Sequence, residues 1–201
     1  LKIIAESDLD IINPENDVRY RQYVDHYFSL VGRKGINPEG AKALVRTNQT
    51  IIGALAVMRE DADALICGLG GRYDNHLKHL DQIIGKREGV VDYSTLSLLI
   101  SSNNTIFLTD TTVSYDPSPE CVAESVILSA EEMKRFGIEP KVALVSHSNF
   151  GSRDTKSANK MQEALQIINQ IAPDLECDGE MQGDLALSEI LRDRIMPNSY
   201  L

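Results

Sequence analysis

The stretch Lys141 to Leu165, KVALVSHSNFGSRDTKSANKMQEAL, decides the fold class. It opens on Val142, Ala143, Leu144 and Val145, an apolar run about the length of a buried parallel strand. A polar loop, Ser146 to Arg153, follows, and then Ala158, Met161, Ala164, Leu165 and Ile168 recur at helical spacing. A strand that runs through a Gly/Ser loop into a helix start brings backbone N–H groups, a helix dipole and hydroxyls to one point. Its small residues let an anion approach the backbone. Arg153, Lys156 and Lys160 add positive charge. The residues leave two readings open: an anion-binding loop, or an ordinary strand-to-helix turn in which Ser caps and Gly bends. The spacings of a Walker loop and of G-x-G-x-x-G are both absent.

Working outward, the same alternation of strand and helix repeats. Pro119, with Ser118 as cap, predicts a long helix to about Phe136, stopped by Gly137. Leu96–Ile100 and Thr105–Thr109 read as strands, the second ending at the loop Asp110 to Pro119. At the carboxyl end of a strand in an open α/β sheet, such a loop is where ligands sit. Downstream, Glu176–Asp178 reads as short and extended, Gly179–Asp184 as a polar loop, and Leu185 to Ile195 as one last helix. Upstream, Tyr20, Tyr23, Val24, Tyr27, Phe28 and Val31 form a helical stripe that belongs to a core or an interface. Asn37-Pro38 and Gln49 start two further helices, Leu1–Ala5 reads as a strand end, and Asp63–Cys67 as a short strand.

A second glycine loop, Gly68-Leu69-Gly70-Gly71-Arg72-Tyr73, leads into a helix from about Asp74 to Ile84, with cations at Arg72, Lys78, Lys86 and Arg87. His76 and His79 lie three apart on that helix. No third ligand stands at a recognisable spacing, so a partner or solvent is the better reading than a metal. The pattern predicts an α/β fold with parallel strands, and the Gly, Arg, Glu and Asp gathered near Lys86 to Tyr93 predict a boundary between parts 1–90 and 91–201.

Composition narrows the function. The 201 residues are 42% hydrophobic and carry a net charge of −10, with a pI near 4.8. That excludes wholesale binding of nucleic acid and requires a local cationic site for any anionic ligand. No apolar run approaches the roughly 18 residues of a membrane span. Three scattered cysteines, Cys67, Cys121 and Cys177, read as reduced thiols of a cytoplasmic protein. The lack of an initial Met leads us to expect a piece of a longer polypeptide.

Several runs, taken together, resemble the phosphate acetyltransferase and butyryltransferase family: Asp110-Thr-Thr-Val-Ser-Tyr-Asp-Pro-Ser-Pro119, Phe136-Gly-Ile-Glu-Pro-Lys-Val-Ala-Leu-Val-Ser146, Gly151-Ser152, Ala172-Pro-Asp-Leu175, Asp178-Gly-Glu-Met-Gln-Gly-Asp184 and Ala62 to Gly68. Ser146 to Ser152 and Ile66 to Tyr73 resemble the variant of this fold found in the C-terminal part of large bacterial malic enzymes. The resemblance implies a transacetylase fold of two α/β lobes, 1–90 and 91–201, with a parallel sheet in three αβα layers, expected to be incomplete at both ends. It also implies a parent chain that decarboxylates malate oxidatively to pyruvate, using NAD(P) and magnesium or manganese held by another domain. No cofactor is expected in these residues themselves. The module would bind acetyl-CoA or a related phosphorylated metabolite without turning it over, and would hold a homodimer or higher homo-oligomer together.

The candidate contacts are Gly70, Gly71, Arg72, Tyr73, Asn75, Lys78, Ser148, Gly151, Ser152, Arg153 and Lys160; no residue is assigned as catalytic or as a metal ligand. Three departures from active transacetylases support that assignment. The Ser-Arg-Gly-Cys run of the family is not in this sequence, Lys78 stands where an Arg would fork a phosphate, and Asn159 stands where an Asp is expected. The alternatives are an active phosphate acetyltransferase, and a purely structural oligomerisation domain resting on the Tyr20–Phe28 stripe.

Overall fold

The computed structural model describes residues 11, 13–102 and 104–201. The expected strand end at Leu1–Ala5 lies outside them. The chain divides into two compact units, Leu1–Arg87 and Glu88–Leu201, and each is described by itself.

The described part of the first unit is helical. Helix α1 (Tyr20–Val31) runs into a short 3-10 turn at Gly32–Lys34. Helices α2 (Pro38–Thr47), α3 (Gln49–Met58) and α4 (Tyr73–Ile83) follow. Capping sets the starts: the Asn37 side chain accepts from Gly40 N–H with Pro38 in the first turn, and the Asn48 side chain accepts from Thr50 and Ile51 N–H. The Tyr stripe of α1 turns inward. Tyr23 and Tyr27 are buried with Val31, Ala41, Val45, Ile51, Ala54 and Leu55 in one cluster, so they belong to this unit's own core. Each fully buried aliphatic side chain here stabilises the fold by about 1.5–3 kcal/mol.

The expected strand at Asp63–Cys67 is irregular instead. No strand among the described residues of this unit offers it a ladder. Leu65 alone of these residues turns inward, packing over Gly53 of α3, while Asp63, Ala64, Ile66 and Cys67 are exposed.

The second unit carries the α/β pattern. Strands β1 (Leu96–Ile100) and β2 (Thr105–Thr109) pair with each other. Helix α5 (Pro119–Arg135) leads to β3 (Lys141–Val145), and helix α6 (Lys156–Ile171) leads to β4 (Glu176–Met181). The β3–β4 pair is parallel, as the β-α-β pattern requires, whereas β1 and β2 form an antiparallel hairpin. Only four residues separate those two strands, too few for the crossover a parallel pair needs. Val122, Ala123 and Val126 of α5, Leu144 of β3, Ala164 and Ile168 of α6 and Cys177 of β4 make the core.

The last expected helix is two, α7 (Gly183–Leu187) and α8 (Glu189–Ile195). Ser188 is extended, and its side chain caps α8 by accepting from Leu191 N–H. Strand β4 also runs three residues further than its composition predicts.

That extension positions the loop after β3. The ladder pairs Leu144 with Gly179 but Val145 with Met181, so Glu180 is an extra residue on β4. Such a bulge re-aims a side chain. Here it places Glu180, 1% exposed, beneath residues 146–153. Gly179 permits the turn: its φ is +144°, and a Cβ there would sit 2.8 Å from the Leu144 carbonyl oxygen.

Two predictions follow from the bulge. Gly179→Ala lowers unfolding free energy by about 2–4 kcal/mol, read by chemical denaturation, because backbone rather than a movable side chain blocks the methyl. Glu180→Gln lowers stability at pH 7 by about 1–2 kcal/mol. Burial pushes the Glu180 carboxyl up, but hydrogen bonds from Ser148, Gly151 N–H, its own N–H and Gln162 outweigh it and hold the group below its usual 4.5. Its contribution is therefore complete above pH 4.5 and lost as pH falls through the lowered value. The gap between wild type and variant closes on the acid side of a stability–pH profile.

Candidate functional site

The loop after β3 is wound around a carboxylate of its own chain. Phe150 N–H donates to the Glu180 carbonyl at 2.7 Å, and Gly151 N–H donates to Glu180 Oε1 at 2.8 Å. Ser148 N–H donates to Ser146 Oγ, Asn149 N–H to Ser152 Oγ, Ser152 N–H to the Asn149 carbonyl and Arg153 N–H to Ser148 Oγ. Every backbone N–H from Ser148 to Arg153 thus has an internal acceptor. The expected cradle of open N–H groups is filled from within, and Ser148, wholly buried, is a structural residue of the loop. Gly151, at φ +82°, makes the turn that brings its N–H down onto Glu180.

What this loop offers outward is side chains. Ser152 and Arg153 are exposed. Thr155 caps α6 by accepting from Ala158 N–H and lies 3.2 Å from His147 Nε2. One turn into α6, Lys160 reaches Asp116 in the loop after β2 and pairs with it. Hydrogen bonding from Lys160 lowers the Asp116 carboxyl below its usual range. Asp110, at the end of β2 in a left-handed conformation (φ +56°), is raised by burial, with Lys160 opposing the rise. The loop after β2 and the start of α6 therefore meet at a cluster of two carboxylates and one ammonium. The sequence pointed to Lys160 but not to the Asp116 pairing, nor to Glu180. An acid flanked by glycine within an extended run was the available signal for the latter.

In the first unit, Gly70, Gly71, Arg72, Tyr73, Asn75 and Lys78 lie together at the start of α4. His76 pins their loop. Its Nε2–H donates to the Gly70 carbonyl at 2.7 Å, which leaves Nδ1 to accept from the Thr50 hydroxyl at 2.7 Å. Both ring nitrogens are thus engaged within the unit, which corrects the expectation that His76 faces a partner or solvent. His79 Nδ1 is buried without a hydrogen-bond partner, and burial lowers its pKa. Arg72 forks onto Asp74 at 2.9 and 3.1 Å, while Asn75 and Lys78 are exposed. A cavity of about 270 Å³ lies against Cys67, Gly68, Gly71, Tyr73, His76 and Leu77.

No group of three His, Cys, Asp or Glu side chains among the described residues is arranged to hold a metal. All three cysteines are free, and burial pushes the Cys177 thiol up to about 12. No described helix is long and apolar enough to cross a membrane.

Comparison with known proteins agrees with this architecture. The chain is 60% identical along its whole length to an NAD-dependent malic enzyme of Rhizobium meliloti, of which it spans 26%. It is 46% identical to an NADP-dependent malic enzyme of Haemophilus influenzae, of which it spans 27%. A phosphate acetyltransferase of Helicobacter pylori is 29% identical over 96% of the chain and 37% of that enzyme. Among solved structures, the EutD phosphotransacetylase from Staphylococcus aureus superposes with a TM-score of 0.82 at 27% identity. The match covers 98% of this chain and 61% of that one. The chain therefore spans about a quarter of the malic enzymes it resembles. The family model described as phosphate acetyl/butaryl transferase matches residues 2–201, and the chain belongs to that family.

Proposed function

We propose that this chain is the metabolite-sensing module of an NAD(P)-dependent malic enzyme, and that it binds acetyl-CoA or a related phosphorylated acyl carrier without transferring the acyl group. The observation that carries this reading is the 60% identity to a malic enzyme along all 201 residues, against 29% to a phosphate acetyltransferase. The loop after β3 supports it. With its N–H groups taken up by Glu180 and by the loop's own Ser and Asn oxygens, the loop lacks an open backbone site for a transferring phosphoryl oxygen. Recognition falls to Ser152, Arg153 and Lys160 around it, and in the first unit to Arg72 and Lys78. The parent chain would decarboxylate malate oxidatively with NAD(P) and a divalent metal in another domain. Assembly into a homo-oligomer belongs to this reading as well, but the Tyr20–Phe28 stripe does not support it, since Tyr23 and Tyr27 are buried inside their own unit.

A second reading, an active phosphate acetyltransferase, is favoured by the superposition on the Staphylococcus aureus phosphotransacetylase. A thiol-release assay with acetyl-CoA and phosphate separates the two: turnover above about 1 s⁻¹ assigns transfer to the module.

Calorimetry on the full-length parent tests the sensing reading. Acetyl-CoA is expected to bind with a dissociation constant near 1 μM, worth about 8 kcal/mol. At 1 mM, such a ligand raises the unfolding free energy by about 4 kcal/mol. No heat and no thermal shift at 1 mM sinks the proposal. Lys160→Ala is expected to weaken binding about tenfold. Asp116→Asn, which frees the Lys160 ammonium from its carboxylate, is expected to tighten it by less than about tenfold, because Asp116 is exposed to solvent.

A further inference from the structure

Asp178, two residues before the bulge on β4, is 7% exposed, and its two carboxylate oxygens serve different parts of the second unit. Oδ1 accepts from Gly179 N–H at 2.8 Å, at the point where the strand enters the bulge. Oδ2 accepts from the Ser199 hydroxyl at 2.7 Å and from Tyr200 N–H at 3.0 Å. Ser199 and Tyr200 lie in the irregular segment 196–201 that follows α8, so the carboxylate fastens that segment to β4. Arg192 of α8 holds the Leu201 carbonyl beyond them.

From Gly179 the same network continues to the loop after β3. Glu180 accepts Phe150 N–H on its carbonyl and Gly151 N–H on Oε1, while its Oε2 is buried with no hydrogen-bond partner. A carboxylate is planar and rigid. A rotation that takes Oδ2 of Asp178 away from Ser199 therefore also takes Oδ1 away from Gly179 N–H. Loss of the segment favours that rotation, because an uncovered carboxylate turns toward water rather than stay partly desolvated. Glu180 has no donor on Oε2 to hold its place when the bulge shifts, and the two N–H groups of the loop shift with it.

We propose that Ser199 and Tyr200 form a strap latched by Asp178, and that strap and loop are coupled through β4. Release of the strap loosens the loop at 148–153, and loosening of the loop's hold on Glu180 loosens the strap. Asp178 is thus a positioning residue for two elements at once. The coupling is reciprocal, as any linkage between two equilibria must be. It holds whether or not the module binds an acyl carrier, since every group in it belongs to this chain.

Hydrogen exchange on the full-length parent reads both directions. Ser199→Ala removes one of the two strap donors to Oδ2 and is expected to speed exchange at Phe150 and Gly151 about tenfold. Amides of α6 around Ile168, in the core of the unit, report global unfolding and are expected to change less than about twofold. Ser199→Thr keeps the hydroxyl and is expected to exchange as the wild type does. In the reverse direction, Glu180→Gln is expected to speed exchange at Tyr200 beyond any change around Ile168. Four results overturn the proposal. Faster exchange in Ser199→Ala confined to 196–201 means that the strap is local. An equal rise around Ile168 means simple destabilisation. An unchanged Tyr200 in Glu180→Gln breaks the reciprocity, and a Ser199→Thr variant that matches Ser199→Ala removes the hydroxyl from the path.

Discussion

The Glu180 carboxylate beneath the loop after β3 is the constraint on which the second unit's functional face depends. A tight turn of small residues leaves several N–H groups without helix or sheet partners, and buried N–H groups must find acceptors. Taking a carboxylate out of water costs several kcal/mol unless donors surround it. Loop and carboxylate answer part of each other's need: Gly151 N–H meets Oε1 at 2.8 Å and Phe150 N–H meets the carbonyl of the same residue, while Oε2 is buried without a hydrogen-bond partner. The bulge on β4 aims Glu180 at the loop, and Gly179 makes the bulge sterically possible. A chain of cause runs from one glycine through strand register to the shape of the candidate site. It also closes from within the backbone anion position that the sequence suggested.

Those side chains sit in a strongly acidic protein, and several of its cations already have local counter-charges. Arg72 is forked by Asp74, and Lys160 is held by Asp116. Such solvent-screened pairs contribute little, and a multiply charged phosphate could displace either carboxylate. Lys160 differs from Arg72 in burial. Its side chain is 18% exposed against 81%, so its stem is ordered before any ligand arrives. Less conformational entropy is then lost on binding. The cation best placed to discriminate between ligands is the one whose partner, Asp116, hangs from a different strand.

Features set by neighbours in sequence were legible from sequence. The starts of α2 and α5 follow from Asn37 and Ser118 accepting N–H groups three residues on, and the 3.6-residue period gave the buried face of α6. Features set by distant partners were not. Asp63–Cys67 has the composition of a strand and lacks a ladder. Leu96–Ile100 and Thr105–Thr109 were legible as strands, but their direction depended on the short connection between them. The loop at 148–153 looked open because its acceptor, Glu180, lies 29 residues from Gly151. The split between α7 and α8 turned on Ser188, whose cap has the same chemistry as Ser118 and was equally readable.

Membership of an acyl-transferring family does not decide this chain's chemistry, because the fold and the reacting groups are separable. What the fold supplies is a relation between two strand ends. The loop carrying Asp110 and Asp116 extends from β2, and the helix carrying Lys160 follows β3. Two elements distant in sequence are thus tied by one ion pair, and a ligand that competed for Lys160, as the proposed reading requires, would loosen that tie.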